Sequence, residues 1–524
     1  MNIKTQSGKR ELVAGHFSPR LPHSGCGGNS AKKIRSKQQG FALLLFITVL
    51  ATTAATVTVK ALNNNVQIDR DKITAAALAQ AKEALIGYAI TYGDTHPGEV
   101  HGYLPCPDTS GTDIGGEGAA AGVCGAKDIS VIGKLPWKTL ELPPLRGGDN
   151  ECLWYAVSGN YKNNPKTGLM NWDTNGVLRV YTPNGTTNGT LLLTPSDNQA
   201  VAVIFAPGVA LGQSHTVISG TSSCGGNYTA ASYLDNDTAH KINNADIATG
   251  KFIQQHQDRD TNGKIIQTVN DQMIFITKQD IWNAMKKRRD FLNTLDAMTR
   301  STAECIKKYA TTNNMAANKS LPWPAQIAIS DYTDNTKYND SDGLLAGRVP
   351  YKVNTARGQT GNTISGTSPD IFLLKDDDPT ATPTSPAYCA SGWASIYHWW
   401  YNWKEHLFYA ISENYQPTTS VTNACSINIG HRCVSVNNSG NYAAVVIFAG
   451  ERLAGQIRTD KSLISAYLEG RNNTNIDSVH PTGYENYQTE NTSVPASTSF
   501  NDVVYCIKED LSLPVVKGTA TGCP

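Results

Sequence analysis

The sequence KQQGFALLLFITVLATTAATVTV (37–59) joins a short polar, basic junction to nineteen consecutive uncharged residues, 41–59. As a helix, this uncharged run is about 28 Å long, which is close to the hydrocarbon thickness of a bilayer. Residues 1–40 carry eight Lys or Arg side chains and a single acid, Glu11. Positive flanks stay cytoplasmic, so the sequence predicts a single membrane pass with the rest of the chain outside the cytoplasm.

The helical pattern continues beyond the apolar run. Small and apolar residues recur at helical spacing over 75–89, with charged residues between them. No small-residue cleavage site follows the apolar run, as it would in an ordinary secretory signal. The first strong break signals are Gly93-Asp94 and Pro97-Gly98. We therefore expect one continuous helix over 41–93, about 80 Å long, half apolar and half amphipathic.

The junction Gly40-Phe41, with basic and polar residues before it and an apolar run after it, resembles the type IV prepilin signal. The resemblance implies that a prepilin peptidase cuts between Gly40 and Phe41, that the leader 1–40 is lost, and that Phe41 is methylated. It also implies a type IV pilin or type II secretion pseudopilin, whose helix 41–93 spans the inner membrane once and later packs against other subunits in an extracellular or periplasmic filament. The alternative for this segment is a plain signal anchor.

One position departs from the family pattern. The fifth mature residue is usually a Glu that pairs with the N-terminal amine of a neighbouring subunit, and here it is Leu45. A carboxylate in lipid-like surroundings is tolerated only with a partner. A subunit without a neighbour on one side does not need it, so Leu45 favours a large minor subunit at or near the filament tip.

Seven sequence blocks recur in the same order along the chain. The pairs are AKEALIGYAITYGD (81–94) with AECIKKYATTNN (303–314), LPCP (104–107) with LPWP (321–324), GKLPWKTL (133–140) with GRVPYKVN (347–354), ECLWYAVSGNY (151–161) with EHLFYAISENY (405–415), VAVIFAPGVALGQ (201–213) with AVVIFAGERLAGQ (444–456), SYLDNDT (232–238) with AYLEGRN (466–472), and NDQMIFITKQDI (270–281) with NDVVYCIKEDL (501–511). Several blocks are short β-branched runs bounded by Gly or Pro, which are typical of strands. The sequence predicts an α+β protein with two tandem heads, 94–279 and 280–524, each with a helix on an antiparallel sheet.

The cysteine count predicts an oxidising compartment. Cys26 lies in the basic leader, and ten more follow it: Cys106, Cys124, Cys152, Cys224, Cys305, Cys389, Cys425, Cys433, Cys506 and Cys523. An even number after the leader fits five disulfides. The pairs 106–124 and 425–433 are plausible local loops, and the other pairings stay open.

The segment Asp258-Arg-Asp260-Thr-Asn262-Gly263 matches the start of a calcium-binding loop. Oxygen donors at alternate positions point inward, and Gly permits the sharp turn. The twelfth position, where such loops place a bidentate Glu, is Val269. A structural calcium on Asp258, Asp260 and Asn262 is one interpretation, and a polar hairpin turn is the other.

Trp393, Trp399, Trp400 and Trp403, with Tyr401, form the densest aromatic cluster of the sequence. Exposed aromatic faces stack on sugars or cover apolar patches of a partner. The alternative, which we favour, is that the same residues pack in the core of the second head. The first interpretation makes the chain a pilus-tip or surface adhesin that binds a glycan or protein.

Catalytic patterns are weak in this sequence. No G-x-S-x-G elbow is present, although Ser158 and Ser412 each follow an apolar strand-like run. The chain after residue 40 is mildly acidic, which argues against nucleic-acid binding. We therefore expect a non-enzymatic pilin-like subunit. The tip adhesin is the first alternative, and a signal-anchored periplasmic enzyme or binding protein is the second.

Overall fold

The computed structural model describes residues 38–112, 114–166, 168–183, 189–194, 198–213, 215, 224, 226–311, 320–354, 370–374, 389, 392–417, 434–477, 485–489 and 499–524. Within these ranges the side chains of 38–65, 267, 354, 370 and 371 are not described. Gln67–Pro524 form one compact unit, and the described residues before Gln67 belong to a separate one.

Five α-helices occur in the described part of the chain. They are α1 (Gln38–Thr95), α2 (Lys278–Met285), α3 (Arg289–Thr311), α4 (Trp393–Trp403) and α5 (Gly470–Asp477). Helix α1 extends over the predicted range 41–93 and ends two residues later. Among the helices whose residues are described, none is both long enough and apolar enough to cross a membrane. The apolar residues 41–59 lie outside the described side chains.

Twenty short strands make up the β structure of the described residues. They are β1 (Val131–Lys134), β2 (Trp154–Val157), β3 (Arg179–Thr182), β4 (Thr190–Leu191), β5 (Ala200–Ala206), β6 (Asn236–Asp237), β7 (Ile242–Asn243), β8 (Lys251–Ile253), β9 (His256–Arg259), β10 (Ile265–Val269), β11 (Gln272–Thr277), β12 (Ala346–Arg348), β13 (Lys352–Asn354), β14 (Asp370–Phe372), β15 (Leu407–Ile411), β16 (Val434–Val436), β17 (Ser439–Phe448), β18 (Glu485–Tyr487), β19 (Val503–Lys508) and β20 (Val516–Lys517).

Two larger sheets organise these strands. The first has the order β1-β2-β5-β11 and is antiparallel throughout. The second has β12-β15-β17-β19 as its antiparallel centre, extended by β20 beside β19 and by β16 beside β17. Strand β18 follows as the parallel neighbour of β16. Small satellites surround the first sheet, including the pairs β6-β7 and β9-β10. The expected α+β class with antiparallel sheets is therefore confirmed.

The central strands of both sheets alternate between two cores, because side chains of a strand point to opposite faces. In β15, Tyr409 faces the main core, and Phe408 faces a second cluster on the other side of the sheet. Strand β2 repeats this, with Tyr155 in the main core and Trp154 on the far side. Helix α1 fills the main core with one face, as its apolar spacing predicts. The buried α1 residues there are Ala77, Leu78, Ala81, Leu85, Ile86, Ala89 and Tyr92.

The two large sheets follow one plan, as the sequence blocks predict. Strands β1, β2, β5 and β11 hold the same positions in the first sheet as β12, β15, β17 and β19 in the second. Side-chain hydrogen bonds also recur at equivalent positions of the two halves. The Tyr155 hydroxyl donates to the carbonyl of Pro105 at 3.2 Å, and the Tyr409 hydroxyl donates to that of Pro322, also at 3.2 Å.

The predicted boundary between the heads, at 279/280, falls inside α2 (Lys278–Met285). Helix α2 begins directly after β11, and its Thr277 cap closes a capping box with Asp280. A main core with residues from both halves is continuous within Gln67–Pro524. The two halves therefore share one core.

Candidate functional site

Polar contacts as well as the buried face connect α1 to the two halves. Lys82 Nζ lies 3.1 Å from Asp280 Oδ2 at the start of α2. Near the end of α1, Asp94 accepts two hydrogen bonds from the Arg288 guanidinium, at 2.8 and 3.1 Å. Such fork-to-carboxylate pairs fix geometry as well as charge. The predicted processing residues Gly40 and Phe41 lie in the first turn of α1, and their side chains are outside the described residues.

A cluster of four metal-ligating side chains lies among the satellite strands of the first half. Asp237 ends β6, and His240 lies in the turn before β7. His256 and Asp258 are two residues apart on β9, so they share one face of that strand. One donor atom from each of the four side chains lies within 4.8 Å of all the others. The β6–β7 hairpin holds Asp237 and His240 together, and β9 carries His256 and Asp258. Strand β10, the partner of β9, contacts β6 and so brings the two pairs together.

The cluster has short and long nitrogen–oxygen separations. From Asp237 Oδ2, the distance is 2.7 Å to His240 Nδ1 and 3.0 Å to His256 Nε2. From Asp258 Oδ2, the corresponding distances are 3.7 and 3.5 Å. The Asp237 side chain is fully buried, and those of His240 and His256 are 4% and 6% exposed. Two imidazoles and two carboxylates, with only Asp258 substantially exposed at 25%, form a donor set that suits a divalent cation.

The residues Asp258, Asp260 and Asn262, considered as calcium ligands, lie in the β9–β10 hairpin. Asp258 belongs to the four-residue cluster, but Asp260 Oδ1 accepts hydrogen bonds from the amides of Asn262 and Lys264, both at 2.9 Å. Asp260 is therefore the turn residue of the β9–β10 hairpin, which was the second interpretation. Asn262 is exposed in the same turn.

The four tryptophans predicted as a binding surface are core residues. Trp393, Trp399, Trp400 and Trp403 are 2%, 7%, 0% and 0% exposed, and all belong to the main core. Helix α4 turns their rings inward, where Trp403 meets Trp172 of the first half edge to face at 4.5 Å. The interpretation of these residues as an exposed binding surface is therefore wrong. These rings pack the two halves together.

Beside this aromatic contact lies a buried ionic network that also joins the halves. Asp173 Oδ2 of the first half lies 3.0 Å from Arg458 Nη1 and 2.8 Å from His406 Nε2 of the second. Burial by itself would raise the pKa of Asp173, but Arg458 and the hydrogen bond with His406 outweigh burial and hold that pKa below its usual range. Burial lowers the pKa of His406 against the opposing effect of Asp173. The geometry gives this network a role in joining the halves.

The neighbouring asparagine extends the same contact. Asn171 Nδ2 donates to the backbone carbonyl of Asn402 at 2.8 Å and to Glu405 Oε1 at 2.9 Å. The Glu405 carboxylate, 1% exposed, also pairs with Lys461. The Asn171-Trp172-Asp173 run of the first half is thus anchored on α4 and the residues after it.

Disulfides join four cysteine pairs in the described residues: 106–124, 152–224, 305–389 and 506–523. The predicted local pair 106–124 is confirmed. The predicted pair Cys425–Cys433 lies outside the described residues.

Ser158 and Ser412, the two serines considered as catalytic nucleophiles, form hydrogen bonds with backbone groups. Ser158 Oγ accepts a hydrogen bond from the amide of Val177 at 3.2 Å. Ser412 Oγ accepts one from the amide of Val434 at 2.9 Å and donates to the carbonyl of Tyr442. The two hydroxyls hold the ends of the equivalent strands β2 and β15. None of these hydrogen bonds involves a histidine.

Sequence reasoning found Asp258 of the four-residue cluster and missed Asp237, His240 and His256. Two local spacings between these residues could have indicated the site. The Asp237-x-x-His240 spacing suits a tight turn, and the His256-x-Asp258 spacing puts two ligands on one face of a strand. Sixteen positions separate His240 from His256 in the chain, so only the tertiary fold unites the two pairs. Comparisons of this chain with protein-family models, curated proteins and solved structures give no match.

Proposed function

We propose that the chain is a non-enzymatic minor subunit of a type IV pilus-like or secretion filament, placed at or near its tip. The observation that carries the proposal is the prepilin-like junction Gly40-Phe41 at the start of a helix that continues without interruption to Thr95. A cleaved N-terminal signal is normally discarded together with its apolar run. Here the apolar run and the residues that pack into the head belong to the same helix.

The contacts of the described part of α1 suit the stem of a filament subunit, because they attach the helix to the rest of the chain. Its buried face, its ion pair with Asp280 and the Arg288–Asp94 fork bind it to both halves. In contrast, Val66, Ile68 and Ile73, near the start of the described side chains, are 51%, 51% and 55% exposed. Exposed apolar residues along one helix are suited to contacts with neighbouring stems. In this proposal, helix 41–93 is first anchored in the inner membrane and then buried among other pilin or pseudopilin stems.

The disulfides support a location outside the cytoplasm, since structural disulfides persist in oxidising compartments. Leu45 in place of the family's Glu supports the tip position. The adhesin alternative loses its main support, because the tryptophans on which it was based are buried.

Processing of the leader tests the proposal. Full-length chain is produced together with a prepilin peptidase, as wild type, as Gly40→Val and as Gly28→Val, a matched change within the leader. We expect wild type and Gly28→Val to lose residues 1–40, and Gly40→Val to stay full length and to be absent from sheared filaments. Processing of Gly40→Val at the wild-type rate would overturn the proposal.

A further inference from the structure

We propose that Asp237, His240, His256 and Asp258 form a binding site for a divalent transition-metal ion, with Zn²⁺ as the best fit. The donors are His240 Nδ1, His256 Nε2 and one Oδ2 from each carboxylate. In a tetrahedral zinc site with bonds of about 2.0–2.1 Å, neighbouring donors lie about 3.3 Å apart. The four nitrogen–oxygen separations, 2.7, 3.0, 3.5 and 3.7 Å, are distributed around that value.

Hydrogen bonds within the described part of the chain leave two of the four donor atoms in this arrangement without a partner. His256 Nδ1 lies 2.8 Å from the carbonyl of Gln254, which is the geometry of an N–H donor. In the neutral ring, the opposite nitrogen, Nε2, carries a lone pair that faces the two carboxylates. Among the described residues, neither His256 Nε2 nor the buried Asp258 Oδ2 has a hydrogen-bond partner. Buried polar atoms are rarely left unpaired, and a cation between them would satisfy both.

The remaining contacts orient the ligands as metal sites require. The carbonyl of Gln254 fixes the tautomer and orientation of His256, which is the usual outer contact of a ligating histidine. Asp237 Oδ1 accepts the amides of Ala239 and His240, at 2.9 and 3.0 Å, so its Oδ2 is held toward the cluster. The two imidazole rings are nearly perpendicular, with an interplanar angle of 84°.

The donor set selects the kind of ion. Calcium takes six to eight oxygen ligands, and magnesium takes oxygen ligands in octahedral geometry, so two imidazole nitrogens disfavour both. Two carboxylates balance the charge of a divalent ion in this buried position. Four protein ligands complete a tetrahedron, which is typical of structural zinc sites. We therefore assign the ion a structural role.

The ion would join elements that are weak by themselves. Strands β6 and β7 have two residues each, and an isolated two-stranded hairpin is marginally stable. Asp237 and His240 come from this pair, and His256 and Asp258 come from the β9–β10 hairpin. A bound ion therefore ties one to the other and stabilises the folded chain by mass action.

The repeat offers an internal comparison. In the aligned blocks SYLDNDT (232–238) and AYLEGRN (466–472), Arg471 stands where the first half has Asp237. A guanidinium cannot ligate a metal ion. The site is thus a feature of the first half and lies outside the shared plan of the two sheets.

Zinc titration of the full chain tests the site. Chelator-stripped protein with intact disulfides, in a Cys26→Ser background, is titrated with Zn²⁺ by calorimetry. The variants are His256→Ala, Asp258→Asn and, as a matched histidine control, His215→Ala, whose ring pairs with Glu151 outside the cluster. We expect one Zn²⁺ per chain, at least tenfold weaker binding for both cluster variants and no change for His215→Ala.

Cobalt supplies a readout that does not depend on affinity. Co²⁺ bound to wild type should give the intense visible absorption of a tetrahedral ion with nitrogen and oxygen ligands, and Asp258→Asn, at the most exposed ligand, should weaken it without unfolding the chain. Zinc should raise the midpoint temperature of thermal unfolding for wild type and His215→Ala. It should not raise that temperature for His256→Ala or Asp258→Asn. Equal zinc binding and equal cobalt spectra in wild type and both cluster variants would overturn the assignment.

Discussion

Asp235 and Asp271 form a buried carboxyl pair in the first half, where the backbone amide of Asp235 donates to Asp271 Oδ2 at 2.8 Å. Glu469 and Asp502 repeat it in the second half, and there the amide of Glu469 donates to Asp502 Oδ2 at 3.0 Å. Burial, followed by the nearby Asp235 charge, raises the pKa of Asp271 to about 8. Burial likewise raises the pKa of Asp502, with Glu469 as the next cause. In each half, one carboxyl group of a buried pair thus has a raised pKa.

This pair predicts a pH-dependent stability. The folded pKa of Asp271, about 8, is above the ordinary aspartate value of 3.8, so between these pH values the folded chain binds a proton that the unfolded chain releases. The stabilisation is complete at low pH and is lost as pH rises toward 8, with a slope of at most about 1.4 kcal/mol per pH unit. Asp271→Asn stays neutral at every pH. The difference in unfolding free energy between wild type and Asp271→Asn should therefore decrease from pH 5 to pH 8.

Denaturant unfolding at several pH values measures this difference. Asp69→Asn, a change at an exposed carboxylate with 73% side-chain exposure, is the control and should show no such trend. A difference that is constant or increases with pH would contradict a protonated Asp271.

The ionic contact between the halves predicts a large effect at Asp173. Asp173→Ala leaves Arg458, whose side chain is 3% exposed, without its carboxylate. Loss of one partner of a buried pair costs about 3–5 kcal/mol. Asp149→Ala removes the exposed pair with Arg70 and should cost less than about 1 kcal/mol. Similar costs for both variants in urea unfolding would show that the network does not hold the halves together.

The packing of Trp403 gives a further prediction. Its ring is fully buried against Trp172, Trp282 and Phe291. Trp403→Ala should lower the unfolding free energy by about 3–5 kcal/mol, because it leaves a large cavity, and Trp403→Phe should lower it less. Circular dichroism during denaturation measures both. A stable Trp403→Ala that had lost only binding to a glycan or protein would restore the adhesin interpretation.

The repeat blocks allowed much of the fold to be predicted from the sequence. They marked β2, β5, β15 and β17 as strands, and the spacing over 75–89 marked the buried face of α1. One alignment was wrong by a residue. The blocks matched Val201 with Ala444, but the amide of Ser158 donates to the carbonyl of Val201, and the amide of Ser412 to that of Ala443, both at 2.9 Å. The second copy has one more residue between Gly450 and Gln456 than the first has in the equivalent turn.

Features that depend on tertiary contacts could not be read in this way. Burial of the four tryptophans of α4 depends on partners such as Trp172, more than two hundred residues away in the chain. The common core of the two halves also eluded prediction, because block spacing says nothing about whether two repeats share a core. Periodicity reports the local face of an element, whereas packing between elements decides what covers that face.

The disulfides predict a specific peptide map. Digestion without reduction should yield linked peptides for 106–124, 152–224, 305–389 and 506–523, and we expect Cys425 joined to Cys433. Removal of the 305–389 bond by Cys305→Ala and Cys389→Ala should lower stability by about 4 kcal/mol, given its sequence separation of 84. A linkage between Cys425 and any of the eight described cysteines would contradict this map.

The central claim is that a filament stem begins at Phe41. Mass spectrometry of the N-terminal peptide from protein purified from its native host tests this claim most directly. We predict a mature chain that starts at Phe41, with a methylated amine and no residue of 1–40. A chain that starts at Met1, or at any residue after the apolar run 41–59, would contradict the claim.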